Sequence, residues 1–178
     1  AMLWYPDETI QHAGIVTGLG GYAGHSHKYK KKGGSGYLFR TSTVQDFSGV
    51  TGACLLVKTA VYDEMHGLDE QFAVAFNDVD FCLRVRDAGY RIAWTPYAEL
   101  VHYESKSRGG DEKDPVKAAR FAAEQQRLYT IHGKENILDD PYYNPNLTRD
   151  REDFSESDDL RRLKEGRVTV RFRGGTLQ

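Results

Sequence analysis

The pattern of apolar and polar positions predicts short strands interleaved with three helices. The longest helical pattern follows Asp114 and runs to His132. Asp114 is a favourable helix cap, Pro115 suits the first helical position, and Gly133 is a typical helix stop. We therefore predict a long helix between these two boundary residues.

A second helical pattern begins with two acids. Its apolar residues recur at helical spacing from Val79, and the helix is predicted to run through Ala88 with Asn77 or Asp78 as its cap. Asp80 follows Asp78 by two positions. The simplest interpretation is that both acids cap the helix and complement its dipole. The alternative is that one of them is a catalytic base.

The remaining pattern predicts short strands, one more helix and a long loop. Thr59 is predicted to cap a short helix that ends at Gly67. Residues 18–43 are rich in Gly and Lys, which predicts a long loop. Strands are predicted at Met2 to Tyr5, in a segment ending near Thr17, at Ala53 to Val57, and in the runs YRIAWTP, AELVHYE and RVTVRF. Interleaved strands and helices predict a mixed α/β fold.

Composition narrows the class of protein. A length of 178 residues suits one domain, and a net charge of −2 argues against general nucleic-acid binding. The sequence shows no signal peptide and no apolar stretch near the length of a membrane span, which predicts a cytosolic protein. Cys54 and Cys82 lie in apolar runs, which favours buried free thiols over a disulfide.

Four stretches resemble the C-terminal half of bacterial family 2 glycosyltransferases, in particular the rhamnosyltransferase-like enzymes of cell-surface polysaccharide synthesis. The resemblance covers about residues 2–148 and is most specific from Thr51 to Gly109. The stretches are YPDETIQHAG, VTGACLLVK, GLDEQFAVAFNDVDFCLRVRDAGYRIAWTPYAELVHYESKSRG and DPYYNPNL.

The resemblance implies an α/β fold that forms the C-terminal part of a GT-A (Rossmann-like) domain, with a mixed sheet and flanking helices. In that family the N-terminal half binds the nucleotide and ends in an Asp-x-Asp metal motif. No such motif occurs before residue 50, so the chain is expected to be a fragment that is inactive alone. Residues 1–138 would be the acceptor-side half, and the polar residues 139–178 a partly ordered C-terminal arm.

The same resemblance assigns the candidate catalytic and metal-binding residues. Asp78 matches the family's catalytic base, and Asp80 is expected to be a helper that orients the local backbone or the acceptor. His102 matches a histidine that joins the Asp-x-Asp acids on Mg²⁺ or Mn²⁺. A single histidine is more commonly structural, and the isolated chain is not expected to hold a metal tightly.

Further residues are predicted to line a substrate cleft. Small residues before a strand let a ligand approach the backbone closely, although they also suit tight packing between elements. Arg and Ser in a Gly-ended loop suit diphosphate oxygens, although such a loop can also be simply solvated. The predicted substrate-binding residues are Thr51, Gly52, Ala53, Asn77, Glu104, Ser105, Ser107 and Arg108.

A group of histidines and lysines suggests other ligands. His12, His25 and His27 have poor spacing for zinc and no cysteine partner, so a zinc site is not predicted. Lys28 to Lys32 is interpreted as a solvated or lid-like loop, with contact to an anionic acceptor or to membrane phosphates as the functional alternative.

The resemblance thus implies an inverting, metal-dependent glycosyltransferase. It would move a sugar from a nucleotide-sugar donor to a cell-surface glycan or lipid-linked acceptor, in the cytoplasm and at the inner face of the cell membrane as a peripheral protein. The alternative from another class is a non-catalytic glycan-binding or assembly module that retains the fold.

Overall fold

The computed structural model describes residues 1–103 and 114–157, together with the backbone of 170–172 and 175–177. The predicted mixed α/β fold with a mixed sheet is confirmed. The strands are β1 (Met2–Trp4), β2 (Ile10–His12), β3 (Ile15–Thr17), β4 (Ala23–His25), β5 (Gln45–Asp46), β6 (Ala93–Trp94), β7 (Glu99–Val101), β8 (Val170–Phe172) and β9 (Gly175–Leu177). The helices are α1 (Thr59–Glu64), α2 (Asn77–Asp87), α3 (Pro115–His132) and α4 (Lys134–Leu138).

The strands form small sheets. The mixed sheet has the order β2-β1-β7, in which β1 is antiparallel to β2 and parallel to β7. Hairpin β3–β4 pairs Ile15 with His25, and β5 pairs with β6. The segment predicted as one strand ending near Thr17 is divided into β2 and β3 at Gly14. Gly14 has a φ of 100°, and a Cβ there would lie 2.6 Å from the ring of Phe47.

Helix α3 is confirmed with its predicted boundaries. The side chain of Asp114 accepts a hydrogen bond from the amide of Val116, and Gly133 follows the last residue with a φ of 78°. Two other caps differ from the prediction. Thr59 is the first residue of α1 rather than its cap, and that helix ends at Glu64. The cap position of α2 is occupied by Phe76.

The predicted strand Ala53 to Val57 is wrong. Gly52–Cys54 form a 3-10 turn, and Leu56 is 97% exposed. The apolar run indicated burial, yet this backbone pairs with no strand in the part of the chain that the structure describes. The predicted loop 18–43 also contains a regular element, because β4 pairs with β3.

Helix α2 lies between two hydrophobic clusters. Phe81, Cys82 and Val85 belong to one cluster, whereas Val79 and Leu83 belong to the other. Both cysteines are free as predicted, and burial raises the pKa of the Cys82 thiol to about 12. Helix α2 thus packs against both hydrophobic clusters.

The segment after α4 contributes to the first cluster. Tyr143, Leu147 and Phe154 are buried in it, although the surrounding sequence is polar. The division of the chain at residue 138 stays a prediction. Within residues 1–103 and 114–157, no helix combines the length and apolar character that a membrane span requires.

Candidate active site

A cleft of about 330 Å³ opens beside the first turn of α2. The hairpin β3–β4, the loop before α2, helix α3 and residue 152 contribute to its walls. Its aromatic lining comes from Tyr22, Phe76 and Phe121. Its polar lining comes from His25, Lys28, Asn77, Asp78 and Glu152.

The half-buried carboxylate of Asp78 is held on both sides. Its Oδ2 accepts a hydrogen bond from the amide of Gly52 at 2.8 Å. Its Oδ1 accepts from the amide of Val79 in the first turn of the helix, also at 2.8 Å. A carboxylate offers about four acceptor positions, so two remain for a group in the cleft. Asp78 therefore accepts a hydrogen bond from the first turn of α2 and still presents an acceptor to the cleft.

The segment Thr51 to Ala53 meets Asp78 at close range. A Cβ on Gly52 would lie 3.5 Å from the Cβ of Asp78. The hydroxyl of Thr51 accepts from the amide of Ala53 at 3.3 Å, which shapes the turn that aims the Gly52 amide. The small residues were predicted to let a ligand approach the backbone closely. In the structure, the group that lies close to this backbone is the side chain of Asp78, the candidate base. Contact of these three residues with substrate stays a prediction.

The backbone immediately before Asp78 is strained. Phe76 has a φ of 63°, a conformation that a bulky side chain rarely adopts. Its buried ring packs edge-on against Tyr22 at 5.5 Å between centroids and at a tilt against Phe121 at 5.0 Å. Such strain is concentrated at functional sites, where surrounding packing maintains it.

A carboxylate from α3 fixes the same loop. Glu124 is buried, and its two oxygens accept from the amides of Val74 at 3.2 Å and Ala75 at 2.7 Å. Asn77 completes the arrangement, because its Oδ1 accepts from the amide of Asp78 at 2.7 Å. Helix α3 therefore holds the loop that leads into α2.

Asp80 lies outside this cleft lining. Its side chain is 1% exposed, and it forms an ion pair with Arg84 at 2.8 Å and a hydrogen bond with Nε2 of His132 at 2.8 Å. Arg84 also donates to the carbonyl of Gly67 at 2.9 Å. These contacts fasten α2 to α3, and the helper role of Asp80 stays a prediction.

Two histidines, His12 and His25, form a chain of hydrogen bonds from the turn at Thr51 to the cleft. His12 is buried, and its Nε2 accepts from the amides of Gly14 at 3.3 Å and Thr51 at 3.4 Å. Burial, followed by the nearby charge of His25, lowers the pKa of His12 well below its usual value. A neutral His12 carries its proton on Nδ1, which donates to Nδ1 of His25 at 3.0 Å. This bond leaves the proton of a neutral His25 on Nε2.

His102 lies at the end of β7. Its amide donates to the carbonyl of Trp4 at 2.8 Å, and its Nδ1 is buried without a hydrogen-bond partner among the described atoms. An orphaned imidazole nitrogen fits one metal ligand. Across residues 1–103 and 114–157, however, no three His, Cys, Asp or Glu side chains group together to hold a metal ion. These residues alone do not complete a Mg²⁺ or Mn²⁺ site.

The other predicted substrate-binding residues, Glu104, Ser105, Ser107 and Arg108, lie outside the described residues. The sequence pattern assigns no substrate contact to two of the cleft residues, His25 and Glu152. Lys28 belongs to the lysine cluster for which contact with an anionic acceptor is the functional alternative. Glu152 accepts from the amide of His25 at 3.0 Å, a contact over 127 positions of sequence that no local pattern signals.

Comparison with known proteins identifies several curated relatives. The chain is 49% identical over 155 residues to an uncharacterized protein, y4gI, of Sinorhizobium fredii, covering 86% of the chain and 17% of that protein. It is 34% identical over 147 residues to the O-antigen biosynthesis protein RfbC of Myxococcus xanthus, covering 82% and 11%. It is 32% identical over 80 residues to the N-acetylglucosaminyl-diphospho-decaprenol L-rhamnosyltransferase of Mycobacterium tuberculosis, covering 45% and 24%.

The chain thus spans between 11% and 24% of the length of these relatives. No protein-family model matches the chain, and no solved structure does. The similarity to RfbC runs over most of the chain, whereas the similarity to the rhamnosyltransferase runs over less than half of it. The relatives therefore include a protein named for O-antigen biosynthesis and one named as a glycosyltransferase.

Proposed function

We propose that the chain is the acceptor-side part of an inverting, family 2 glycosyltransferase of the GT-A fold, acting in polysaccharide biosynthesis. The observation that carries this proposal is the position of Asp78. Its carboxylate lines a cleft of about 330 Å³ and is fixed by the amide of Gly52, with acceptor capacity remaining. The similarity to a rhamnosyltransferase and to RfbC supports the class of reaction.

In the proposed reaction, Asp78 removes the proton from an acceptor hydroxyl as the hydroxyl oxygen attacks the anomeric carbon of the donor. A new glycosidic bond forms while the bond from that carbon to the diphosphate breaks. The configuration at the carbon is inverted, and the nucleoside diphosphate leaves. Fixing the carboxylate with a backbone amide reduces the freedom that the reacting group would otherwise lose.

The donor would be a nucleotide sugar bound by another part of the parent protein, and the acceptor a glycan or lipid-linked glycan. His102 would supply one ligand to Mg²⁺ or Mn²⁺, which in such a reaction stabilises charge on the leaving diphosphate. The remaining ligands would come from outside the described residues. Ser105, Ser107 and Arg108 are proposed to contact the diphosphate, with Glu104 beside them.

The test is sugar transfer by the full-length parent protein and by this chain alone. Both are incubated with a panel of nucleotide sugars and with Mg²⁺ or Mn²⁺. We expect the parent to transfer a sugar and the 178-residue chain not to. Robust transfer by the chain alone would contradict its assignment as half of an active site. A parent that binds glycans but transfers none of the sugars would favour the non-catalytic module.

A further inference from the structure

A basic loop, residues 28–44, projects two large apolar side chains. Leu38 is 76% exposed and Phe39 is 65% exposed, and Tyr29 and Val44 are also exposed. Adjacent exposed apolar side chains of this size are less common than scattered single ones and mark an interaction surface.

The structure holds these two side chains outward. Tyr37, which precedes them, stacks on Phe154 at 5.6 Å between ring centroids. Arg40, which follows them, lies between the rings of Phe47 at 4.7 Å and Phe154 at 5.6 Å. The two flanking residues are thus anchored inward while Leu38 and Phe39 are displayed between them.

The displayed residues also have strained backbone. Leu38 has a φ of 46° and Phe39 a φ of 60°, both in the left-handed region. Hydrogen bonds maintain this geometry, because the amide of Arg40 donates to the carbonyl of Tyr37 at 3.0 Å and that of Ser42 to Phe39 at 2.9 Å. Strain that the surrounding structure maintains is expected where it serves a function.

The charge of the loop is opposite to that of the chain as a whole. It contains four lysines, Lys28, Lys30, Lys31 and Lys32, and no acidic residue, whereas the chain carries a net charge of −2. Lys32 pairs with Glu99 at 3.3 Å, and Lys30 and Lys31 are exposed. Thr41 donates to the carbonyl of Gly34, and a Cβ on Gly34 would lie 3.0 Å from Cε of Lys30, so Lys30 and the residue that follows the apolar tip by two positions meet at Gly34.

We infer that the basic loop docks the protein on an anionic lipid bilayer, with Leu38 and Phe39 entering the interface and the exposed Lys30 and Lys31 contacting headgroup phosphates. Stable peripheral binding generally needs an apolar and an electrostatic contribution together, and this loop supplies both. A free phosphate or a nucleic-acid backbone would satisfy the lysines and leave Leu38 and Phe39 in water. The inference goes beyond sugar transfer and does not depend on it.

The test is binding of the chain to vesicles of phosphatidylcholine alone and of phosphatidylcholine mixed with phosphatidylglycerol, measured by co-sedimentation. We expect binding to the mixed vesicles, and weaker binding at high salt. A lysine near an anionic surface contributes about fivefold in affinity, so Lys30→Gln with Lys31→Gln should weaken binding about 25-fold. The matched control is Lys58→Gln with Lys134→Gln, which has the same net charge and an intact loop.

A second variant separates insertion from charge attraction. Leu38→Ser with Phe39→Ser retains every lysine and should also weaken binding, because the apolar contribution is lost. Circular dichroism confirms that each variant is folded. The inference is overturned if the wild-type chain binds neither kind of vesicle, if it binds both equally, or if either loop variant binds as tightly as the control.

Discussion

Asp78 is distinguished by a hydrogen bond that it accepts from a turn far away in the sequence. The amide of Gly52, 26 positions earlier, donates to its Oδ2, and the strained Phe76 directs the chain into the helix just before it. These two features distinguish Asp78 from an ordinary acid at the first turn of a helix. They predict that its position, and not only its charge, is required for activity.

Two substitutions at Gly52 test that positioning. Gly52→Pro removes the amide proton at the first position of a 3-10 turn, where proline is tolerated, and the preceding Thr51 has a φ of −71° and a ψ of 141°, which suits a following proline. Gly52→Ala keeps the proton and places its Cβ in ordinary contact.

We expect Gly52→Pro to lower kcat in the parent protein about 10- to 100-fold, the value of a hydrogen bond to a charged group, and Gly52→Ala to retain most activity. Melting temperatures of both variants provide the check on folding. Equal activity of the two variants would show that the amide does not position the base.

For individual residues, the sequence predicted which residue types form the site but not which of these residues contact each other. The small residues at Thr51 to Ala53 indicated a close approach, and the acid at Asp78 indicated a base by resemblance. Their contact was not predictable, because it depends on how the turn and α2 pack on a common core. The Gly-rich segment predicts a loop and therefore gives no sign of the bond between His12 and His25, whose rings the hairpin β3–β4 brings together.

Among the elements, α3 holds α2 in place through polar and charged side chains. Asp80 joins Arg84 on its own helix to His132 at the end of α3, and Arg127 of α3 pairs with Asp69 in the loop before α2 at 2.6 Å. Local signals predicted α3 well, since its cap, proline and terminal glycine all lie within the helix or directly beside it in the sequence. The strand predicted at Ala53 to Val57 failed because an apolar run does not determine whether a partner strand exists.

Asp80→Asn tests the connection between these helices. The change leaves Arg84 and His132 without their carboxylate, and breaking a buried ion pair costs about 3 kcal/mol or more in the free energy of unfolding. We expect a melting temperature about 6–12 °C lower in a chain of this size. Asp87→Asn, in the same helix but exposed, is the matched control and should shift stability by about 0.5 kcal/mol or less. Similar melting temperatures for both variants would contradict the role assigned to Asp80.

For the whole molecule, the buried histidines predict a loss of stability in mild acid. Burial lowers the pKa of His27 to about 4, and its Nε2 accepts from the amide of Tyr37 at 2.9 Å. The unfolded chain binds this proton near pH 6.5 and the folded chain does not, so stability is present above that pH and falls as pH decreases towards 4. The lowered pKa of His12 acts in the same direction.

We expect His27 alone to contribute a loss of about 1.3 kcal/mol between pH 7.5 and 5.5. Denaturant unfolding at both pH values measures it, and His27→Gln should reduce the difference by that amount. His66→Asn is the control, because His66 is exposed and asparagine tolerates its left-handed backbone. A pH dependence unchanged in His27→Gln would show that His27 does not stay neutral.

The central claim is that Asp78 is the base of a sugar transfer, and its most direct test is the single-turnover rate of Asp78→Asn in the parent protein. The amide keeps the size of the side chain but cannot take the proton. We expect the rate to fall about 10²- to 10⁴-fold while nucleotide-sugar affinity stays near that of the wild type. Asp87→Asn, the exposed acid of the same helix, should react like the wild type. An Asp78→Asn rate equal to that of Asp87→Asn would contradict the claim.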